Sequence, residues 1–286
     1  MDLDLVAHGA PGTGPALMID ALGAALREAF GSELNPTVRY LSGDHGAEAI
    51  IEVGRQRGDG ALASSCTPTF ITDPVTFDLP ASLDDMTPLS ALVSDAYVIV
   101  TSAERAPSGP ADFFSRDTRV GISPRGGNTH IQSHLLSGVL ESTITAIEYE
   151  ERSEVVQEII RGELDWTTGV SSDFLDLFAD GVLVPVATFL PATAARHPRL
   201  PDTPSLAESG IDVEFVLWRG LVGPADIEPS QIRDWERRVA RARDTAAWRD
   251  YLERAGLTDL ALDAGGFSAL LSKERVNYLG WLRDLA

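Results

Sequence analysis

Gly121–Leu136 reads GISPRGGNTHIQSHLL. A β-like run, Thr118 to Ile122, enters it, and an apolar helix face of Ile131, Leu135, Leu136, Val139 and Leu140 leaves it. The Ser, Pro, Gly and Asn between them break the strand. Thr129 followed three residues later by Gln132 has capping-box spacing, which predicts a helix starting there with its first N–H groups facing the loop. Such groups, with the positive end of the helix dipole, attract an anion, and a carboxylate is the simplest small one. Ser123, Arg125, Gly126, Gly127, Asn128 and Thr129 are therefore candidate ligand-binding residues. The alternative is a plain strand-to-helix connection whose glycines only make a turn.

Outward from this loop, from Pro110 to Gly210, helices and strands alternate with short connections. The expected strands are Thr118 to Ile122, Thr145 to Tyr149, Leu164 to Thr168 and Val182 to Ala187, and the expected helices include Ala111 to Arg116, Ser153 to Arg161 and Ser171 to Phe178. That alternation predicts a parallel sheet covered by helices on both faces, an α/β fold. Thr168 and Gly169 end a strand ahead of Ser171, a candidate helix cap, and form a further candidate anion site.

The amino-terminal region repeats the strand, glycine loop and helix. Leu3 to Ala7 leads into HGAPGTGPALMIDALGAALREAF, where Pro15 suits a first helical position and Leu17, Met18, Ala21, Leu22, Ala25 and Leu26 share a face. Gly12, Thr13 and Gly14 form only part of a dinucleotide fingerprint, since Leu17 stands at the third glycine position and no phosphate-loop lysine follows. A small acid on this backbone fits better than a nucleotide. Gly60 to Cys66 reads as a buried strand ending in SSCTPT, so Ser65 and Thr67 offer hydroxyls at the usual ligand edge of an α/β sheet, or simply satisfy a turn. Ala91 to Ser102 is a strong strand, and two amphipathic helices separated near Asp244 precede a last one from Phe267 to Leu285.

Composition narrows the function. The 286 residues fit two domains better than one core, 44% are hydrophobic, and no run approaches the roughly 18 apolar residues of a membrane span. With 43 acidic against 23 basic residues and a formal net charge of −20, nucleic acid and anionic membranes are poor partners. Lone Cys66 excludes an internal disulfide and reads as a small buried side chain. MDLDLVAHGA has no basic segment followed by an apolar core, so the chain is either cytosolic or a secreted protein whose leader has been removed.

The run from Arg199 to Pro224, with LPDTPSLAESG and WRGLVGP, resembles the carboxyl-terminal signature of the solute-binding receptors of tripartite tricarboxylate transporters, the Bug-type extracytoplasmic receptors. RGDGALASSCTPT, DDMTPLSALVSDAYVIV and the loop at Gly121 also fall in the order of that family, so the resemblance covers nearly the whole chain. It implies a two-lobed periplasmic-binding-protein fold of type II with a ligand cleft between the lobes. Residues 1–100 plus 218–286 are expected in lobe one and 101–217 in lobe two, with the WRGLVGP segment as a turn after a strand. It further implies capture of a small organic acid, a di- or tricarboxylate, an aromatic acid or an acidic amino acid, by two opposed glycine loops that map onto Gly12 to Pro15 and Ser123 to Thr129. Membrane permease subunits would be the partners, the location periplasmic or otherwise extracytoplasmic, and the receptor a monomer without cofactor, metal or catalysis. Closure would follow from a ligand that touches both lobes.

The chain departs from the family at two points. Ala16 stands near the place where many members carry an aspartate, and Pro15 removes a backbone donor. Arg125 stands where many show small polar residues, as a second-carboxylate ligand or a solvent-facing charge. Trp218 either walls the cleft or is buried at the crossover.

Rival classes remain open. A carboxylate-sensing module for a signalling partner would share the fold. An enzyme is disfavoured by the absence of G-x-S-x-G and H-E-x-x-H motifs, and Lys273, the sole lysine, sits beside Glu274 and Arg275. Among His8, His45, His130, His134 and His197 only His130 and His134 have metal-ligand spacing, without an acidic third ligand in the motif.

Overall fold

The structure is a computed structural model describing residues 1–43, 46–123, 125–194 and 196–285; His45 and Pro124, both named above, lie outside the described residues. The chain divides into two compact units, Met1–Ser94 with Trp218–Gly280 and Asp95–Leu217 with Trp281–Ala286.

Unit 1 is built on β1 (Asp2–His8), which pairs in parallel with β2 (Asn35–Leu41) and β3 (Leu62–Cys66). The order continues through β9 (Val216–Pro224), antiparallel to β3, and β4 (Met86–Ser102), to β10 (Thr258–Leu262), antiparallel to β4. Three helices follow the parallel strands: α1 (Gly14–Phe30) after β1, α2 (Ala47–Arg55) after β2 and α3 (Thr69–Thr76) after β3. α1 buries Met18, Ile19, Leu22, Ala25 and Leu26 at helical spacing, while Leu17, expected on the same face, is 47% exposed. That face joins a core with Leu3, Leu5, Trp235, Val239, Trp248 and Tyr251. The two tryptophans come from α8 (Pro229–Arg243) and α9 (Ala246–Ala255), which part at Asp244 as expected. Glu228 and Gln231 form a capping box at α8, and the Thr245 hydroxyl accepts from Trp248 N at the start of α9. α10 (Ala264–Leu285) ends the chain.

Unit 2 takes the carboxyl-terminal part of β4 as a central strand, flanked by β7 (Thr167–Val170) and β8 (Leu183–Thr188), both antiparallel to it. β5 (Thr118–Ile122) and β6 (Ile144–Glu148) pair in parallel, and Val120 bridges to Trp166. The helices are α4 (Pro110–Phe113), α5 (Asn128–Ser137), α6 (Arg152–Arg161) and α7 (Leu175–Ala179). Val98, Val100, Val155, Ile159, Leu164, Phe174, Leu183 and Leu200 form the core.

Three expectations need correction. The sheet expected to be parallel from Pro110 to Gly210 is mixed, because β7 and β8 both pair with β4, a strand that precedes the alternating region. Hydrophobic periodicity reports burial and not strand direction. WRGLVGP is strand rather than turn: in β9 a Cβ on Gly220 would stand 2.7 Å from the Ser90 carbonyl oxygen and 2.5 Å from the Phe267 ring, so the glycine admits close backbone approach. The helix expected from Ser171 is a 3₁₀ turn, Ser171–Asp173, followed by the five-residue α7.

Candidate functional site

In unit 1, β1 ends on His8 and a turn carries the chain into α1. Gly12 there has φ +88°, a region that favours glycine. Thr13 is the N-cap residue of α1, but its hydroxyl donates to Ala10 O at 2.8 Å and accepts nothing from the helix. Pro15 has no N–H, and Leu17 N already donates to Thr13 O. The backbone N–H groups of Gly14 and Ala16 are left without an intrahelical acceptor.

Beside this start lies Arg219 of β9, 4% exposed. A Cβ on Gly14 would meet its Nη2, Cζ and Nε at 2.8, 3.0 and 3.1 Å, so the guanidinium lies along the first residue of α1. His8 connects the same edge to β3. Its Nδ1 stands 3.0 Å from Ser65 O and 2.7 Å from Ser65 Oγ, and its Nε2 3.0 Å from Thr67 Oγ1. Burial pulls the imidazole down to about 4 against its ordinary 6.5; the Ser65 carbonyl raises it in part and the Arg219 charge lowers it. His8 is thus neutral at pH 7. Ser65 and Thr67 are engaged with it, and Thr67 also with Thr69 at 3.0 Å.

In unit 2, β5 leads into the start of α5. The N-cap is Gly127, which has no side chain to accept from the helix, and Ile131 N donates to Gly127 O at 3.0 Å. The N–H groups of Asn128, Thr129 and His130 therefore lack an intrahelical acceptor. The capping box expected from Thr129 and Gln132 does not form. The helix starts one residue earlier, and both side chains turn to Thr168 of β7: Thr168 Oγ1 lies 2.9 Å from Thr129 Oγ1 and donates to Gln132 Oε1. Asn128 Nδ2 donates to the Tyr97 hydroxyl at 2.6 Å.

The other unit 2 candidates have different uses. Arg125 pairs with Glu148, Nε to Oε2 3.2 Å, and its backbone N donates to the same carboxylate; its side chain is 65% exposed. Those bonds hold Glu148 below the usual carboxylate range. Ser123 Oγ donates to Glu150 O, and Gly126 N donates to His130 Nδ1 at 3.0 Å, so that ring nitrogen serves the loop. Gly169 faces Arg152, whose Nη2 would stand 1.8 Å from a Cβ there. Ser171 caps no helix; its hydroxyl is 2.9 Å from His197 Nε2 and donates to Asp95 Oδ1 at 3.3 Å.

Thus Gly12, Thr13 and Gly14 share one helix start with Arg219, and Ser65 and Thr67 share the His8 ring that leads into it. Asn128, Thr129 and Thr168 share the other start with Gln132. Arg219, His8 and Gln132 are absent from the sequence-based candidates. Only Arg219 carries a local signal, a charged residue in an otherwise apolar strand. Trp218 is core: it is 2% exposed, edge-on to Phe267, with Nε1 donating to Glu274 Oε2 at 3.3 Å.

Two α/β units, with β4 and β9 each straddling the division between them, define the fold of periplasmic binding proteins. The chain is similar to the structure of a TctC solute binding protein from Polaromonas, with TM-score 0.81 and 19% identity over 99% of this chain and 98% of that one. It is also similar to MatC from Rhodopseudomonas palustris with bound malate, with TM-score 0.76 and 17% identity over 98% of each chain. A second R. palustris protein, with adipate, matches at TM-score 0.77 and 19% identity over 99% of this chain and 97% of that one. No family model matches the chain, and no curated protein sequence does. At these identities the likeness establishes the fold.

Proposed function

We propose that the protein is an extracytoplasmic solute-binding receptor that captures a small organic carboxylate and delivers it to a tripartite tricarboxylate-type transporter, without catalysis. The observation that carries this reading is the pair of uncapped helix starts. α1 and α5 each follow a strand and begin on N-cap residues that offer the helix no side-chain acceptor. Backbone N–H groups in that state suit a carboxylate. Support comes from the fold, since structures that share it include one with bound malate and one with adipate.

In this reading Gly14, Ala16 and Arg219 supply the donors of unit 1. Asn128, Thr129 and His130 supply those of unit 2, chiefly through their backbone. The acid favours a closed state by its differential affinity, the mechanism implied by the family resemblance. A thermal-shift screen against mono-, di- and tricarboxylates, aromatic acids and acidic amino acids tests it, because a ligand of the folded state raises the midpoint by mass action. A saturable shift confined to one class is expected. No shift with any acid overturns the reading.

A further inference from the structure

This inference rests on the carboxylate reading and concerns unit 2 alone. Gln132 lies in the second turn of α5, fully buried, and its amide Nε2 has no hydrogen-bond partner among the described residues. A buried amide donor without an acceptor carries the full desolvation cost of that group. Its other end is engaged: Oε1 accepts from Thr168 Oγ1, which in turn lies 2.9 Å from Thr129 Oγ1 in the first turn of the same helix.

Counting protons exposes a conflict with a bound anion. A threonine hydroxyl has one proton. If Thr168 gives its proton to Gln132, none is left for Thr129, and Thr129 must turn its own inward, to Thr168 Oγ1 or to the Thr168 carbonyl oxygen at 3.4 Å. Thr129 then shows only lone pairs to the space in front of α5, beside N–H groups that suit an anion. Half a turn of the Gln132 amide removes the conflict within nearly the same volume. Nε2 then donates to Thr168 Oγ1, Thr168 donates to Thr129 Oγ1, and the Thr129 proton is released outward. The atom left inside without a partner is a carbonyl oxygen, the group more often tolerated in that state.

We propose that Gln132 is a positioning residue which, through Thr168, aims the Thr129 hydroxyl at a ligand carboxylate held by the start of α5. Unit 2 thereby selects an ionised carboxylate over the amide that has the same shape.

The test measures affinities by isothermal titration calorimetry for malate, adipate, citrate, benzoate and glutamate. Each acid is paired with the derivative in which one carboxylate is a primary amide. Wild type is expected to prefer the acid. Gln132→Glu, which can only accept when ionised and is assayed at a pH high enough to ionise a buried carboxyl, is expected to lose about tenfold or more in acid affinity and to shift its preference toward the amide, because a hydrogen bond to a charged group is lost. Thr168→Val cuts the relay without introducing charge and carries the test if Gln132→Glu does not fold. It is expected to reduce the preference, and Thr168→Ser to keep it. An acid-to-amide ratio in Thr168→Val equal to that of wild type overturns the relay and leaves the carboxylate reading standing. Wild type that binds none of the acids overturns both.

Discussion

Units 1 and 2 repeat one local device, a strand, a glycine turn and a helix whose first N–H groups lack a side-chain cap, yet they surround it differently. In unit 1 the charge beside the helix start is buried: Arg219, 4% exposed, lies along Gly14, and the neighbouring imidazole of His8 is kept neutral. In unit 2 the nearby arginine, Arg125, is spent on a surface pair with Glu148, and the groups at the helix start are the uncharged Asn128, Thr129, Thr168 and Gln132. The contrast teaches a division of labour. In the proposed reading, unit 1 is the source of charge and unit 2 of directed neutral donors.

The sharpest way to break that division is to remove the buried charge. Arg219→Met is expected to weaken binding of whichever acid the thermal screen identifies by roughly 100-fold, the scale for losing a desolvated charge-assisted contact. Arg219→Lys is expected to restore only part, since a point charge cannot reproduce a planar group lying against Gly14. Titration calorimetry at matched folded fraction reads both. An Arg219→Met affinity within threefold of wild type would remove the charge from unit 1 and collapse the contrast.

A second test sharpens the account of unit 2. Gly169 was a candidate ligand residue on sequence grounds, but the space beside it holds Arg152 Nη2 at 1.8 Å and Phe174 Cε2 at 2.7 Å from where a Cβ would stand. Arg152 is fixed there by Thr168 O at 2.9 Å and Asp173 at 2.8 Å. Gly169→Ala is therefore expected to destabilise the fold by about 2 kcal/mol, as overpacking of a filled site does. Urea denaturation checks it, and an unchanged midpoint would show that Arg152 is free to move.

The third prediction uses pH. The folded-state pKa of His8, about 4, lies below the unfolded value near 6.5. Above pH 6.5 the ring is neutral in both states and contributes no slope. As pH falls from there toward 4 the unfolded chain takes up a proton that the folded chain refuses, so stability declines, by at most about 1.4 kcal/mol per pH unit from this group. His8→Gln is expected to flatten the stability curve between those limits relative to wild type. Equal slopes in urea denaturation across that window would mean that the ring is protonated in the folded state.

Why the two helix starts were legible in the sequence, and their surroundings were not, follows from sequence distance. Pro15 after Gly14, and an apolar face from Met18 to Leu26, are local signals, and the structure starts α1 at Gly14. For α5 the local signal was the spacing of Thr129 and Gln132, and the helix begins one residue before it, at Asn128. Its capping box failed because Thr168, 39 residues away in sequence, outcompeted the local backbone for the Thr129 hydroxyl. Arg219 reaches Gly14 across most of the chain, and His8 meets Ser65 through the pairing of β1 with β3. No local signal announces α3, because Pro74 sits inside it and a proline at a helix interior reads as a breaker. β10 is short and only partly buried, so its periodicity is weak.

The smallest expected effect concerns Arg125, the one cation in the glycine loop of unit 2, which the sequence left as either a second-carboxylate ligand or a solvent-facing charge. Its guanidinium is 3.2 Å from Glu148, and the two side chains are 65% and 45% exposed. An exposed pair of this kind contributes about 0.2 to 1 kcal/mol at most, because water screens it and two long side chains must be ordered. Arg125→Ala is therefore expected to change stability by less than about 0.5 kcal/mol. Affinity for the identified acid is expected to change by no more than about twofold, since Glu148 already occupies the guanidinium. The Glu148 carboxylate also accepts from Arg125 N at 3.1 Å, a backbone bond that survives the substitution and keeps the loop in place. Glu148→Gln in the same background separates the two contributions by a double-mutant cycle. A tenfold loss of acid affinity in Arg125→Ala, with stability unchanged, would show that the arginine leaves Glu148 when ligand arrives, and unit 2 would then supply charge as unit 1 does.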